Sequence, residues 1–151
     1  MQCQEGEIMA KVLNYGMVGG GPDAFIGDAH RRAISLDESA RLVAGVFSRN
    51  AEKSKKMGEV LHIEEERCYK DYETMALEEA KREDGIDFVV VVTPNASHYE
   101  ICKAFLNAGI HVVCDKPVTT TYEKAVELQK LAEEKSLLFM VTYTYMGHVT
   151  A

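Results

Sequence analysis

Short apolar runs alternate along the chain with segments of helical periodicity. The clearest run, residues 88–92, reads Phe-Val-Val-Val-Val, which is typical of a strand buried on both faces of a parallel sheet. Residues 95–108 then repeat apolar side chains at the i, i+3, i+4, i+7 spacing of a helix, and Gly109 follows as a C-cap glycine. The whole pattern predicts strands at residues 11–18, 42–47, 87–93, 110–114 and 137–141, and helices at 28–36, 50–60, 71–82, 95–108 and 120–135.

Capping residues mark several of these helix starts. Residues whose side chains accept hydrogen bonds from backbone amides precede four of the helices: Asn50, Asp71, Asn95, and Thr120 with Glu123 as a capping box. Residues 61–70 are ambiguous and could hold a short edge strand.

Alternation of strands and helices predicts the fold class. Parallel neighbours need crossover connections, which are right-handed almost without exception. We therefore expect an α/β domain with a doubly wound parallel sheet, a Rossmann-like three-layer αβα arrangement, over residues 11–145 after a polar tail at 1–10. The last residues do not resemble a natural terminus, so we expect a fragment without a C-terminal substrate domain.

Composition and charge narrow the function. The chain has 151 residues, 46% of them hydrophobic, and a formal net charge of −7. This balance is typical of a soluble globular protein and argues against nucleic-acid or anionic-membrane partners. The polar start lacks the features of a signal peptide, and no apolar run approaches membrane-spanning length. The four cysteines form no C-x-x-C pair, which predicts reduced thiols and a cytoplasmic location.

A glycine-rich loop follows the first predicted strand, where doubly wound folds bind pyrophosphate. Gly19 and Gly21 fit the first two positions of G-x-G-x-x-G, but five residues, including Asp23, separate Gly21 from Gly27. Glycines let the backbone approach phosphates, whose charge the helix N-terminus favours. The loop therefore indicates dinucleotide binding, with a ligand-free turn as the alternative. A P-loop is excluded because no G-K-[ST] follows.

The second predicted strand ends in Ser48 and Arg49, with no acidic residue to hold the ribose hydroxyls of NAD. Ser48 can donate a hydrogen bond, and Arg49 can form a bidentate pair with phosphate. The cofactor is therefore NAD or NADP, with a slight preference for NADP. The alternative is a solvated surface arginine.

Two further loops fall at the carboxyl edge of the predicted sheet. The first contains Thr93, Pro94, Asn95 and His98, and the second contains Asp115, Lys116 and Pro117. A histidine placed like His98 is more often packed or capping than catalytic. Lys116 is expected to be partly desolvated at the mouth of a buried strand, where it could act on a substrate hydroxyl. An ordinary surface lysine is equally consistent with the sequence.

Taken together, these motifs resemble the Gfo/Idh/MocA family of oxidoreductases. The resemblance rests on the loop at 16–27 with His30, on Thr93-Pro94-Asn95 with His98, and on Asp115-Lys116-Pro117, where the family usually has Glu-Lys-Pro. The variant of the glycine loop with Phe25 and Ile26 resembles a subgroup that acts on sugars and polyols.

The resemblance implies an NAD(P)-dependent oxidoreductase that acts on a sugar, cyclitol or related polyol. It implies that Lys116 is catalytic, contacting substrate and nicotinamide ribose, and that Pro117 follows a cis peptide bond. A second domain would complete catalysis and any homo-oligomer, so the isolated chain would be inactive. The implied cofactor-binding residues are Gly19, Gly21, Phe25, Ile26, Ser48, Arg49, Thr93, Pro94, Asn95, His98, Asp115, Lys116 and Pro117.

Two other functions stay open from the sequence. One is a non-catalytic module that binds or senses a dinucleotide, and the other is a different nucleotide-binding α/β class such as a methyltransferase, which the loop at 115–117 disfavours. No metal site is expected, because His62-Ile63-Glu64 matches only half of a zinc deaminase signature.

Overall fold

The computed structural model of the chain describes residues 11–22 and 24–143, and it contains five strands and five α-helices. The strands are β1 (Leu13–Gly19), β2 (Ala40–Val46), β3 (Phe88–Val92), β4 (His111–Asp115) and β5 (Phe139–Thr142). The α-helices are α1 (Phe25–Ile34), α2 (Ala51–Val60), α3 (Tyr72–Glu79), α4 (His98–Asn107) and α5 (Tyr122–Glu134). Cys3, Asp23 and the last two residues of the predicted domain lie outside the described residues.

All paired strands are parallel, and their order is β2-β1-β3-β4-β5. The chain leaves β1 in one direction to form β2 and later returns to the other side of β1 to form β3. Ligands of open α/β sheets bind in the crevice at such a reversal, outside the carboxyl ends of the strands. The predicted doubly wound parallel sheet is confirmed, and its switch point lies between β1 and β3.

Alternate residues of β3 face two different packed layers. Val89 and Val91 belong to a buried cluster that also holds Phe105 of α4 and Leu128 of α5. Val90 belongs to a second cluster on the other face of the sheet, which the partly buried side chains of α1 join. Burial of each such side chain stabilises the fold by roughly 1.5–3 kcal/mol. On the α1 side, Met140 of β5 stays 55% exposed, so the helical cover there is incomplete within the described residues.

Two of the predicted N-caps are confirmed. The Asn50 side chain accepts a hydrogen bond from the Lys53 amide at 3.0 Å, and the Asp71 side chain accepts one from the Thr74 amide at 2.7 Å. Each satisfies a backbone donor that the helix itself leaves unpaired. Gly109 has φ +84° immediately after the C-cap of α4, as its predicted capping role requires.

The other two predicted caps are wrong. Asn95 opens a short 3₁₀ turn, and α4 begins three residues later behind Ser97, whose side chain makes no capping bond. The proline before Asn95 keeps an extended conformation, and the 3₁₀ turn consumes the residues that an earlier helix start would use. The capping box at Thr120 is displaced by one residue, because Thr121 accepts the bond from the Lys124 amide.

Residues 61–70 form no strand. The segment touches β2 through one isolated parallel bridge between Gly45 and Cys68, and the Tyr69 amide donates to the Gly45 carbonyl at 2.9 Å. A 3₁₀ turn at Glu65–Arg67 precedes the bridge. The possible edge strand is therefore reduced to one residue pair.

A buried ion pair anchors this segment instead. Arg67 donates to Glu79 of α3 through Nε at 3.0 Å and Nη2 at 2.5 Å, and the Glu79 side chain is fully buried. The Tyr69 hydroxyl donates to the same carboxylate at 2.8 Å. Burial, followed by the hydrogen bond to Glu79, raises the pKa of Tyr69 well above its usual value. The fork geometry of arginine suits this arrangement, because it satisfies both carboxylate oxygens at once.

Within the two described ranges, no helix combines the length and apolar character that crossing a bilayer requires.

Replacement of Arg67 by methionine tests this anchor. Arg67→Met keeps much of the side-chain volume but leaves the Glu79 carboxylate buried without its cation, which typically costs about 3–5 kcal/mol. The free energy of unfolding from urea denaturation should fall by that amount. The control is Lys55→Met, which breaks the exposed pair between Lys55 and Glu65 and should barely change the urea midpoint. Equal losses in the two variants would contradict the anchoring role.

Candidate functional site

A cavity of about 780 Å³ opens at the carboxyl edge of the sheet, at the switch point between β1 and β3. Its size falls within the range of ordinary small-molecule sites. Four segments line it: the glycine loop after β1, the end of β2, the loop after β3, and residues 70–73, where α3 begins. The glycine loop contributes the predicted Gly19 and Gly21, and the end of β2 contributes Ser48 and Arg49. The loop after β3 contributes Thr93 and Pro94.

Close backbone packing fixes the glycine loop. Gly19 has φ +94°, and a Cβ there would lie 2.6 Å from the Val92 carbonyl oxygen. A Cβ on Gly21 would lie 2.6 Å from the Phe47 carbonyl oxygen. Neither position has room for a side chain, because the loop presses against the ends of β3 and β2. What the loop presents to the cavity is bare backbone.

The third glycine of the predicted motif, Gly27, packs directly against the glycine loop. A Cβ on Gly27 would collide with the Cα of Gly20, so helix and loop meet backbone to backbone. The Arg31 guanidinium donates to the Gly20 carbonyl at 3.0 Å and holds the two segments together. Gly27 therefore does the helix-packing work of the third fingerprint glycine despite the long spacing.

Helix α1 begins three residues earlier than predicted, and this accounts for part of the long spacing. Its first residue is Phe25, and the preceding Ala24 donates its amide to the Gly21 carbonyl at 3.0 Å in a turn. Two of the five residues between Gly21 and Gly27 are therefore helix rather than loop. Ala24 has no side chain that could cap α1, so among the described residues no N-cap side chain competes with an anion for the amides of the first turn.

Phe25 and Ile26 do not line the cavity. The Phe25 side chain is 87% exposed, and Ile26 packs against the buried cluster on the α1 face of the sheet. Both belong to the first turn of α1, which directs them away from the glycine loop. Their prediction as cofactor-binding residues is not supported by this geometry.

The end of β2 gives the cavity a basic wall. Ser48 and Arg49 line it as predicted, and so do Lys53 and Lys70, which sequence reasoning missed. Lys53 lies four residues after Arg49, a spacing that was available in the sequence. Lys70 had no such signal, because residues 61–70 follow no recognisable pattern. Asp71 and Glu73 line the same side of the cavity and partly offset this positive charge.

The loop after β3 forms the opposite wall. Thr93 and Pro94 line the cavity as predicted, while Asn95 does not and Ser97 does. Ser97 Oγ lies 2.8 Å from Thr93 Oγ1 and 2.7 Å from the Pro94 carbonyl oxygen. These contacts fold the 3₁₀ turn back on the loop, which leaves Asn95 outside the cavity.

The loop after β4 lies apart from the cavity. Asp115, Lys116 and Pro117 do not line it, and Lys116 is exposed. The partial desolvation expected of Lys116 is therefore wrong for this domain, since no described element covers its side chain. The expected cis peptide bond between Lys116 and Pro117 is present.

Asp115 faces His30 of α1 across the top of the sheet. Its Oδ1 accepts a hydrogen bond from the Thr142 hydroxyl at 3.1 Å and lies 3.8 Å from His30 Nε2. Among the described residues, His30 Nε2 is buried without a hydrogen-bond partner. Burial lowers the pKa of His30, and the neighbouring Asp115 opposes that shift.

His98 is fully buried and does not reach the cavity. Its two ring nitrogens contact the carbonyl oxygens of Thr93 and Pro117, each at 2.8 Å. The geometry does not support a direct contact between the His98 ring and a cofactor, because both ring nitrogens already contact backbone carbonyls. No cluster of side chains suited to a metal ion occurs in the part of the chain that the structure describes.

Comparison with known proteins identifies the family to which the chain belongs. The family model described as "Oxidoreductase family, NAD-binding Rossmann fold" matches residues 13–143. The oxidoreductase YfiI of Bacillus subtilis is 46% identical over 142 residues, which are 93% of this chain and 36% of that protein. A scyllo-inositol 2-dehydrogenase (NADP(+)) of the same organism is 43% identical over 65 residues, 43% of this chain and 18% of that protein.

A solved structure has the same fold. An inositol dehydrogenase homolog from Azotobacter vinelandii, complexed with NAD⁺, superposes with a TM-score of 0.89 at 43% identity, over 92% of this chain and 36% of that chain. The chain thus spans about a third of the length of YfiI and of this homolog. The chain belongs to the Gfo/Idh/MocA family of oxidoreductases and forms its NAD-binding Rossmann domain.

Proposed function

We propose that this domain holds the coenzyme of an enzyme that transfers hydride between nicotinamide and a hydroxyl-bearing carbon of a sugar, cyclitol or related polyol. The observation that carries the proposal is the bare glycine backbone at the sheet's switch point, next to the uncapped amino end of α1. Relatives named as inositol dehydrogenases support the substrate class. Family membership does not favour the alternative of a non-catalytic sensing module.

The residues present fit a dinucleotide. The backbone of Gly19 and Gly21, with the first amides of α1, would hold the diphosphate. Ser48 and Arg49 would hold the adenosine ribose at the end of β2, and Thr93 with Pro94 would form the wall on the nicotinamide side. When bound, the nicotinamide ring supplies the hydride chemistry, which no amino-acid side chain can provide.

Lys116 would act on the substrate. It follows β4 at the carboxyl edge of the sheet, and its ammonium is free to reach a bound hydroxyl because the side chain is exposed. An ammonium at that oxygen stabilises the charge that develops as the hydroxyl proton leaves. Asp115 and Pro117 would then fix the loop around Lys116 rather than contact the coenzyme through their side chains.

The charge on the wall at β2 supports NADP over NAD. Arg49, Lys53 and Lys70 line one side of the cavity, and no acid stands at the end of β2 to hold ribose hydroxyls. A 2′-phosphate suits that wall, because arginine can bind phosphate in a bidentate geometry. Among relatives, one is named as NADP-dependent and another was solved with NAD⁺, so both cofactors occur in similar proteins.

We assign substrate selection and any homo-oligomer contact to a second domain of a longer polypeptide, since similar proteins are about three times the length of this chain. The free thiols of Cys68, Cys102 and Cys114 support a cytoplasmic location. The acidic net charge of −7 gives no reason to assign a nucleic-acid partner.

Replacement of Gly21 by alanine tests the coenzyme cradle. The added Cβ would lie 2.6 Å from the Phe47 carbonyl oxygen, so the loop must shift away from β2. We expect Kd for NADH and NADPH to rise about tenfold in a nicotinamide fluorescence titration, which corresponds to about 1.4 kcal/mol. Gly109→Ala is the control, because Gly109 lies outside the cavity: its φ of +84° makes the substitution strained, which should lower stability but leave coenzyme affinity unchanged. Unchanged affinity in Gly21→Ala would contradict the cradle.

Replacement of Arg49 by glutamine tests the cofactor preference. The wild-type chain should bind NADPH more tightly than NADH. Arg49→Gln should weaken NADPH binding by about ten- to a hundredfold, since hydrogen bonds to charged groups contribute about 1.5–3 kcal/mol, and should weaken NADH binding much less because NADH has no 2′-phosphate. Arg32→Gln, on the exposed side of α1, is the matched control. Tighter binding of NADH by the wild type would refute the preference.

Replacement of Lys116 by alanine tests the catalytic assignment in the full-length polypeptide that carries this domain. With a cyclitol or polyol substrate, kcat should fall by about 10²–10⁴, the usual contribution of an acid–base group. Lys130→Ala, an exposed lysine of α5, should leave kcat unchanged. A fall of less than about threefold would remove Lys116 from acid–base catalysis.

A further inference from the structure

His98 occupies an unusual position for a histidine. It is the first residue of α4, and its side chain is completely buried. Nδ1 lies 2.8 Å from the Pro117 carbonyl oxygen, and Nε2 lies 2.8 Å from the Thr93 carbonyl oxygen. Thr93 follows β3 and Pro117 follows β4, so one ring bridges the loops that leave two adjacent strands.

The chemistry of these contacts restricts the protonation state of the ring. A carbonyl oxygen only accepts hydrogen bonds, and a neutral imidazole has one N–H. With a neutral His98, one contact would place a nitrogen lone pair against an oxygen lone pair at 2.8 Å. The imidazolium form has two N–H donors and satisfies both carbonyls at their observed distances.

We propose that His98 is a buried imidazolium that ties the loop after β3 to the loop after β4. Its charge is balanced by carbonyl dipoles rather than by a carboxylate. Through this tie, His98 is a positioning residue that fixes the coenzyme wall at Thr93 relative to the loop that carries Lys116. The consequence for Lys116 rests on the proposed function, whereas the protonation state does not.

The groups around the His98 ring shift its pKa in both directions. Burial lowers the pKa of His98, but Cys114 of β4 and the two carbonyls outweigh burial and raise the pKa to about 9. The amino end of α4 opposes a positive charge at this position. Cys114 faces the ring from β4, with Cys102 of α4 and Asp115 beyond it.

Cys114 is the acidic group that acts most directly on the ring. A hydrogen bond from Cys102, and then the proximity of His98, lower the pKa of Cys114 against the effect of burial. Its Sγ also lies 3.3 Å from the Asp115 carbonyl oxygen. The positive charge on His98 is therefore supported both by Cys114 and by the two carbonyl contacts.

This tie makes both loops sensitive to alkaline pH. The pKa of His98 in the folded protein, about 9, lies above the ordinary value of 6.5 that applies when the chain is unfolded. Its stabilising contribution is therefore complete below pH 6.5 and is lost as the pH rises towards and through 9. Above that range one carbonyl contact must lengthen and the two loops separate.

Nitrogen-15 NMR of the complete 151-residue chain tests the protonation state directly. At pH 7, both ring nitrogens of His98 should resonate as protonated nitrogens and each should show a directly bonded proton. His98→Gln identifies the signal by its disappearance, and a pH titration should give a midpoint near 9. One protonated and one unprotonated nitrogen at pH 7 would overturn the proposal, whether or not the chain binds a coenzyme.

Coenzyme binding as a function of pH tests the positioning role. In the wild type, Kd for NADPH should rise at least about threefold, or roughly 0.6 kcal/mol, across the midpoint found by NMR. The single amide nitrogen of His98→Gln cannot occupy both ring-nitrogen positions, so its Kd should be raised already at pH 7 and should lack that transition. His62→Asn, an exposed histidine at φ +56° that asparagine tolerates, is the control and should keep the wild-type profile.

The NMR experiment and the coenzyme-binding experiment test separate parts of the proposal. The same transition in His98→Gln and in the wild type would refute the positioning role. If neither coenzyme binds at any pH, the proposed function fails, and the NMR result alone decides the state of His98. If His98→Gln does not fold, the wild-type spectrum still gives the protonation state without any variant.

Discussion

The contact between the backbones of Gly20 and Gly27 is the constraint on which the site depends. It sets how closely α1 approaches the end of β1, and any side chain at either position would separate them. Arg31 reinforces the contact from the helix side by donating to the Gly20 carbonyl. Because helix and loop meet in this way, the unpaired amides of α1 and the glycine backbone lie at one end of the cavity.

Much of the fold could be predicted from periodicity alone. The run at 88–92 and the helical stripe on α4 led directly to a parallel sheet with helices against it, and both are observed. The errors occur at helix starts. Phe25 and Thr121 begin or cap their helices at positions decided by the turn before them, and Asn95 loses its capping role to a 3₁₀ turn. Local backbone geometry, which residue identity does not fix, decides these starts.

The candidate site was predicted less completely, and for a physical reason. Residues that follow strands, such as Ser48 and Thr93, could be placed because strand ends share one edge of the sheet. Lys70 could not be placed, since it reaches the cavity from a segment with no periodic pattern. His98 was recognised as a motif residue, but its contact with Pro117 joins positions 19 residues apart through a loop geometry that spacing does not reveal.

The ion pair between Arg67 and Glu79 has a consequence for how this cavity can vary. It holds the end of residues 61–70 together with one bridge to Gly45, where a strand would impose pairing along its whole length. The outer wall formed by residues 70–73 begins shortly after that anchor. Insertions, deletions or grafted sequence at the exposed residues 64–66 can therefore be absorbed without a change in sheet register, and this margin of the cavity can be remodelled independently of the scaffold that supports it.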